Sequence, residues 1–181
     1  DQSIVSLAYN DGLIYAGSCV SGGTSTEDRK DLSAKIVIYD VESKTKLVEI
    51  DPHDYISGLP ERLTGINALV ADPNVAENGK IWAHMGARLL CLTYNKDTGK
   101  VTLTEELCFD KADDGGDWHP FTPFVDGNYM YVGFGQKGGL RKVNLNNPSD
   151  NERLPVPGNK MFTIADDGNI YYASVNSLYM Y

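Results

Sequence analysis

Apolar and polar positions alternate in short runs along most of this chain, with β-branched and aromatic side chains at the apolar positions, and that alternation predicts strands. Residues 4–9 and 13–19 form one pair of runs, and residues 35–39 and 46–50 form the next. The same succession returns at 66–71, 80–84, 88–94 and 100–107, and again at 121–125, 129–134, 140–145 and 152–156. It closes with 161–165, 169–173 and 177–181, where an outer strand is missing. No stretch carries a convincing helical period, so the expected class is all-β.

Turn chemistry divides these runs into repeats. Asp11-Gly12-Leu13-Ile14-Tyr15, Asn78-Gly79-Lys80-Ile81-Trp82, Asp126-Gly127-Asn128-Tyr129-Met130-Tyr131 and Asp167-Gly168-Asn169-Ile170-Tyr171 each place a pair tolerant of positive φ before an aliphatic and an aromatic. Such pairs turn one strand straight into the next. An uneven period of roughly 40 to 65 residues built on hairpins predicts propeller blades. The expectation is a β-propeller or partial propeller of about four blades, each a four-stranded antiparallel sheet, the last incomplete. The blades are bounded at 3–51, 65–110, 120–157 and 160–181.

The stretch Leu7-Ala8-Tyr9-Asn10-Asp11-Gly12-Leu13-Ile14-Tyr15-Ala16-Gly17, with Ile36-Val37-Ile38-Tyr39-Asp40 and Lys44-Thr45-Lys46 after it, resembles the repeats of quinoprotein-like and YVTN-type β-propellers. The resemblance covers nearly the whole chain and concerns blade construction. It implies a bacterial extracytoplasmic or secreted setting, often beside carbohydrate-active modules. The tryptophan docking motif of quinone-dependent members is not evident, so no quinone cofactor carries over. Family rings usually have six to eight blades, whereas this chain supplies just under four. A compact four-bladed ring and part of a larger ring are the two alternatives. The partial ring is favoured because the apolar final strand Leu178-Tyr179-Met180-Tyr181 has an open edge. It is then completed by further sequence or by self-association, and the chain is an excised or mature segment of a larger protein.

Composition narrows the partners. With 16 Lys and Arg against 25 Asp and Glu, the net charge of −9 over 181 residues argues against nucleic acid and anionic membranes. No apolar run reaches the ~20 residues of a membrane-spanning helix. Cys19, Cys91 and Cys108 are too few and too scattered for a disulfide framework or a zinc site, and Cys91 reads as a small core residue.

In blade topology the long irregular segments 21–33, 51–64 and 110–120 share one face, where ligands are expected. Trp118, His119, His84, Gln136, Tyr55 and His53 are the candidate ligand-binding residues. Trp118 reads first as an aromatic packed between blades, and second as a ring for stacking on a sugar. The loop from Asp110 to His119 reads first as a solvated acidic turn. Its second reading is an oxygen-rich site for calcium or another divalent metal, using Asp113, Asp114 and Asp117. Its spacing does not match an EF-hand. The set His84, His119 and Gln136 resembles the His and Gln cluster of metal-dependent pectate-oligomer lyases built on propellers. Gly133-Phe134-Gly135-Gln136-Lys137-Gly138 mimics a phosphate-binding glycine motif, but the expectation is a tight inter-strand turn with no helix after it. Arg29, Lys30, Glu61 and Arg62 read as a solvated rim. The functional expectation is a non-enzymatic scaffold or recognition module for a glycan or a protein, with no required cofactor. The alternative is a catalytic propeller, a metal-assisted polysaccharide lyase or glycan hydrolase.

Overall fold

The computed structural model describes residues 2–20, 32–74, 80–115, 123–157, 161–174 and 177–181. They form four antiparallel sheets in chain order. The first holds β1 (Ser3–Asn10), β2 (Leu13–Cys19), β3 (Ile36–Asp40) and β4 (Thr45–Ile50). The second holds β5 (Ala68–Ala71), β6 (Ile81–Met85), β7 (Arg88–Tyr94) and β8 (Val101–Cys108). The third holds β9 (Phe124–Asp126), β10 (Tyr129–Gly133), β11 (Leu140–Asn144) and β12 (Asn151–Arg153). The fourth has three strands, β13 (Phe162–Ile164), β14 (Ile170–Ser174) and β15 (Ser177–Met180). Every sheet is a meander, each strand pairing with its neighbours in sequence.

Local chemistry sets the hairpins. Asp11 at φ 49 and Gly12 at φ 76 form a two-residue turn that leaves Asn10 opposite Leu13. Positive φ at both positions matches the right-handed twist of the flanking strands. Gly127 at φ 54 is the left-handed residue between Asp126 and Tyr129, which face each other across the turn. Asn78 and Gly79 lie outside the described residues.

Three hydrophobic clusters lie between consecutive sheets. Leu13, Tyr15, Ile36, Ile38 and Ile50 of the first sheet meet Leu69, Ile81, Ala83, Met85 and Leu92 of the second. Trp82 and Leu89 on the other face of the second sheet meet Met130, Val132, Phe134 and Val143. Leu140, Leu154 and Val156 meet Ile170 of the fourth sheet. β6 is therefore buried at every position, because alternate side chains face two different neighbours. The approach of the first two sheets is close. Ser6 Oγ donates to Ile66 O at 2.7 Å, and a Cβ on Gly17 would lie 2.8 Å from Ile66 Cγ2.

Several strands begin or end a residue or more from expectation, and two departures in the third sheet have a packing cause. The outer strand of the third sheet is Asn151–Arg153 and not 152–156, since Leu154 and Val156 leave the strand to fill the third cluster. Residues 133–138 are not a plain turn: Gly135–Gly138 winds one turn of α-helix, α1. Glycine at its end allows this, because a Cβ on Gly138 would press within 3.2 Å of the Phe109 ring.

Candidate functional site

The described parts of the connections after β2, β4, β8 and β10 meet at one end of the sheets, tied by hydrogen bonds and an ion pair. Val20 N donates to Thr64 O at 2.9 Å, and Ala34 N donates to Leu63 O at 2.8 Å, so the stretch before β5 caps the end of the first sheet. Thr64 N and Oγ1 both donate to Asp114 O, at 2.6 and 2.9 Å, bringing in the acidic loop. Lys137 of α1 then pairs with Asp110 at 2.6 Å. Described loop residues from three sheets are thus linked in succession.

Arg88, at the start of β7, anchors the acidic loop from below. Its side chain is 1% exposed, and its Nε donates to Glu105 Oε2 at 2.9 Å. Its terminal nitrogens donate to the carbonyls of Asp113 and Lys111. Gly86 passes under the same loop at φ 55, where a Cβ would overlap the Asp113 carboxylate and stand 2.9 Å from Gly115 Cα. Asp113 and Asp114 are half-buried, and Gly115 N donates to Asp113 Oδ1 at 2.7 Å. The loop is thus a docked structural element rather than a freely solvated turn. The carbonyls of Lys111 and Asp113, which an oxygen-seeking cation would use, accept from a guanidinium. Among the described residues no group of three or more His, Cys, Asp or Glu is placed to share a metal ion. Asp117 lies outside the described residues.

His53 belongs to a cluster that the sequence reading missed. It sits in the 3-10 turn Pro52–Asp54, capped by Asp51. Its Nδ1 lies 3.0 Å from Asp51 Oδ1 and its Nε2 lies 2.9 Å from Pro60 O, while Ser33 Oγ donates to Asp51 Oδ1 at 2.7 Å. Ser, Asp and His are the residue types of a hydrolytic triad, but this arrangement does not activate the serine. Ser33 Oγ also lies 3.2 Å from His53 Nδ1, but that nitrogen is shared with Asp51 Oδ1, Nε2 faces the Pro60 carbonyl, and the serine proton goes to the nearer carboxylate. Partial burial opposes charging of His53, but the Pro60 carbonyl and Asp51 outweigh it and raise its pKa. Asp51 is held below its usual range, since its bonds from Ser33 and His53 outweigh its own burial. The cluster fastens residues 51–60 to the segment before β3. No sequence motif marks it, because its members are brought together by the loop path.

His84 lies on β6, facing the third sheet, and is 3% exposed. Its ring meets Phe134 edge-on at 5.7 Å. Neither ring nitrogen has a hydrogen-bond partner of good geometry among the described residues. Burial pushes its pKa down to about 4, although the backbone of Gly86 and Gly133 favours the charged form. Gln136, on α1 just beyond Phe134, is exposed, as is Tyr55 beside His53. Thus His84 is a neutral core imidazole, while Gln136, Tyr55 and His53 lie nearer the surface. Trp118 and His119 lie outside the described residues, as do Arg29 and Lys30; Glu61 and Arg62 are exposed.

Two of the three thiols are held away from nucleophilic chemistry. Burial pushes Cys91 up to about 11 and also raises Cys108, away from the thiolate form that reacts. At the opposite end of the sheets, Trp82 Nε1 donates to buried Asp72 at 3.1 Å, and Lys80 pairs with the same carboxylate at 3.3 Å. Lys96 Nζ reaches Asp11 Oδ2 at 3.1 Å there, joining the first two sheets.

No family model matches the sequence, and no curated protein matches it. Solved structures do. A functionally unknown protein from Desulfotomaculum acetoxidans DSM 771 aligns over 98% of this chain with a TM-score of 0.57 and 14% identity. This chain covers 51% of that protein, about half its length. The extracellular domain of a hybrid two-component system from B. thetaiotaomicron aligns over 98% of this chain and 28% of its own, with a TM-score of 0.46 and 13% identity. No helix among the described residues is long and apolar enough to cross a membrane. The likeness to the first of these structures is one of fold: an all-β chain of successive three- and four-stranded antiparallel sheets.

Proposed function

We propose that this chain is an arc of a β-propeller and that it works as a recognition module, presenting its knitted loop end to a glycan or a protein. The observation that carries the reading is the loop surface itself. The described parts of connections from three sheets are fixed to one another through Thr64, Asp114, Arg88 and Lys137, so a ligand resting on those residues would meet groups already held in place. Catalysis has less support. His84 is enclosed, Ser33 donates to the Asp51 carboxylate, and both partly buried thiols are held protonated. The net charge of −9 repels polyanions at long range, so a neutral glycan or a basic protein surface fits better than a polyuronate. The extracytoplasmic setting belongs to the same proposal and rests on the resemblance of the repeats.

A glycan array, paired with binding assays against basic and acidic model proteins, tests the reading. Neutral glycans or basic proteins are expected to bind, and Tyr55→Ala on the loop end to weaken binding about tenfold, the scale of one lost aromatic contact. Lys44→Ala, in the β3–β4 turn at the other end, leaves it unchanged. Equal loss from both substitutions, or metal-dependent cleavage of a polyuronate, would overturn it.

A further inference from the structure

We infer that the turn after β4 is a proton-operated clasp: a charged His53 ties Asp51 on one side and the Pro60 carbonyl on the other, and a neutral His53 lets go of Pro60. Residues 54–60 are then fastened on the acid side of the transition and released on the alkaline side. The clasp belongs to the way this loop is held and is independent of what the loop end binds.

The count of protons on the ring decides what it can hold. His53 Nδ1 lies 3.0 Å from Asp51 Oδ1, and Nε2 lies 2.9 Å from Pro60 O. An ionised carboxylate and a carbonyl both accept and have no proton to give. A neutral imidazole has one N–H, so it satisfies one partner and turns a lone pair toward the other. Only the imidazolium donates to both. Ser33 Oγ, 3.2 Å from the same Nδ1, gives its proton to Asp51 at 2.7 Å. A bond to a charged acceptor is roughly twice as strong as one to a neutral carbonyl, so the neutral ring keeps its proton on Nδ1 toward Asp51. The contact with Pro60 is therefore the one that fails.

One side of the clasp is firmly seated. Gln2 Nε2 donates to Ser33 O at 2.9 Å, and Leu32 O and Ala34 N exchange hydrogen bonds with the Leu63 backbone, each at 2.8 Å. The other side is a loop whose closure by His53 and Pro60 spans seven positions. Ile56 and Leu59 pack against the first hydrophobic cluster, while Tyr55 is 42% exposed and Gly58, at φ 77, has open space beside it. Loss of the Pro60 contact thus loosens a segment that carries an exposed aromatic at the loop end.

The surrounding charges fix the direction. Asp51 and Asp54 of its own turn act on the ring, the segment before β3 offers the Ser33 hydroxyl, and the far end of the loop offers the Pro60 carbonyl. Glu61 and Arg62, next along the chain, are exposed and opposite in charge. Partial burial opposes charging of His53, but the Pro60 carbonyl and Asp51 outweigh it and raise its pKa above the ordinary 6.5. A group raised in this way stabilises the fold below the ordinary value, and that contribution is lost as pH rises through the folded one. Asp51 is held below its usual range, so the carboxylate stays ionised throughout this transition.

The test is NMR of the whole chain between about pH 5 and about pH 9, a span that brackets the histidine range. Imidazole nitrogen spectra are expected to show His53 losing its proton from Nε2 with a midpoint above 6.5, and amide resonances of residues 54–60 to move with that midpoint. The amides of Tyr55 and Ile56, which donate to Pro52 O, report the loop by hydrogen exchange. Their protection, corrected for intrinsic rate and read against β6 amides as a measure of global stability, should fall about tenfold through the midpoint. That is the scale of one charge-assisted hydrogen bond. His53→Gln, with unchanged circular dichroism, should show the alkaline protection at every pH, and Asp51→Asn should lower the midpoint. A ring that titrates while the loop amides stay still overturns the clasp. So does a proton lost from Nδ1, a midpoint at or below 6.5, or a tenfold change that persists in His53→Gln.

Discussion

Burial decides the chemistry of His84 more than its identity does. A histidine in the unfolded chain titrates near 6.5, whereas the folded one is pushed down to about 4. Above pH 6.5 both states are neutral and the folded state keeps its full stability. Between pH 6.5 and 4 the unfolded chain takes up a proton that the folded chain refuses, so stability falls, by about 3 kcal/mol for this group. His53 acts in the opposite sense: its raised pKa favours the folded state at low pH, and that contribution fades as pH rises through it. Urea titrations across pH 4 to 8 are expected to show the acid loss in the wild type and a clearly shallower loss in His84→Leu. Parallel curves would mean that the imidazole is not neutral in the fold. Histidine was legible as a candidate in the sequence, but its enclosure was not, because the wall against His84 is Phe134, brought there from the next sheet.

At the scale of elements, a tight turn and a loop from different parts of the chain lock together. The β6–β7 turn carries Gly86 in the left-handed region, and the loop after β8 lies on it with Asp113 closest. Gly86→Ala meets two obstacles, the unfavourable φ and the overlap with the Asp113 carboxylate. It is expected to cost about 2–3 kcal/mol. Denaturant unfolding measures this, and a change below about 0.5 kcal/mol would show that the loop moves aside freely. The hairpins themselves were readable, since Asp11-Gly12 carries its conformation in its own chemistry. The helical turn α1 was not, because four residues hold too little periodicity to announce a helix and what shapes this one is its packing against Phe109 and Phe134. The docked acidic loop escaped as well, since its anchor, Arg88, precedes it by a whole strand.

Across the whole molecule, protection should follow how many faces of a sheet are covered. The second sheet is enclosed by clusters on both sides, whereas the fourth has three strands, and β15 is exposed at every residue. Native-state hydrogen exchange is expected to be slowest in β6 and β7 and fastest in β15, because local opening of a half-covered sheet exposes little buried apolar surface. Uniform protection through all four sheets would instead indicate one cooperative unit with the outer faces covered.

The sequence by itself determined the class, the order of the sheets and most of the turns, because strand alternation and left-handed glycine turns are properties of a few adjacent residues. It also announced that the last sheet has three strands. Tertiary structure decided which histidine is enclosed, which carbonyls of the acidic loop are occupied by the Arg88 guanidinium, and how the described loop residues are linked. Those outcomes depend on contacts between residues tens of positions apart, and a one-dimensional pattern carries no record of which distant side chain will stand opposite.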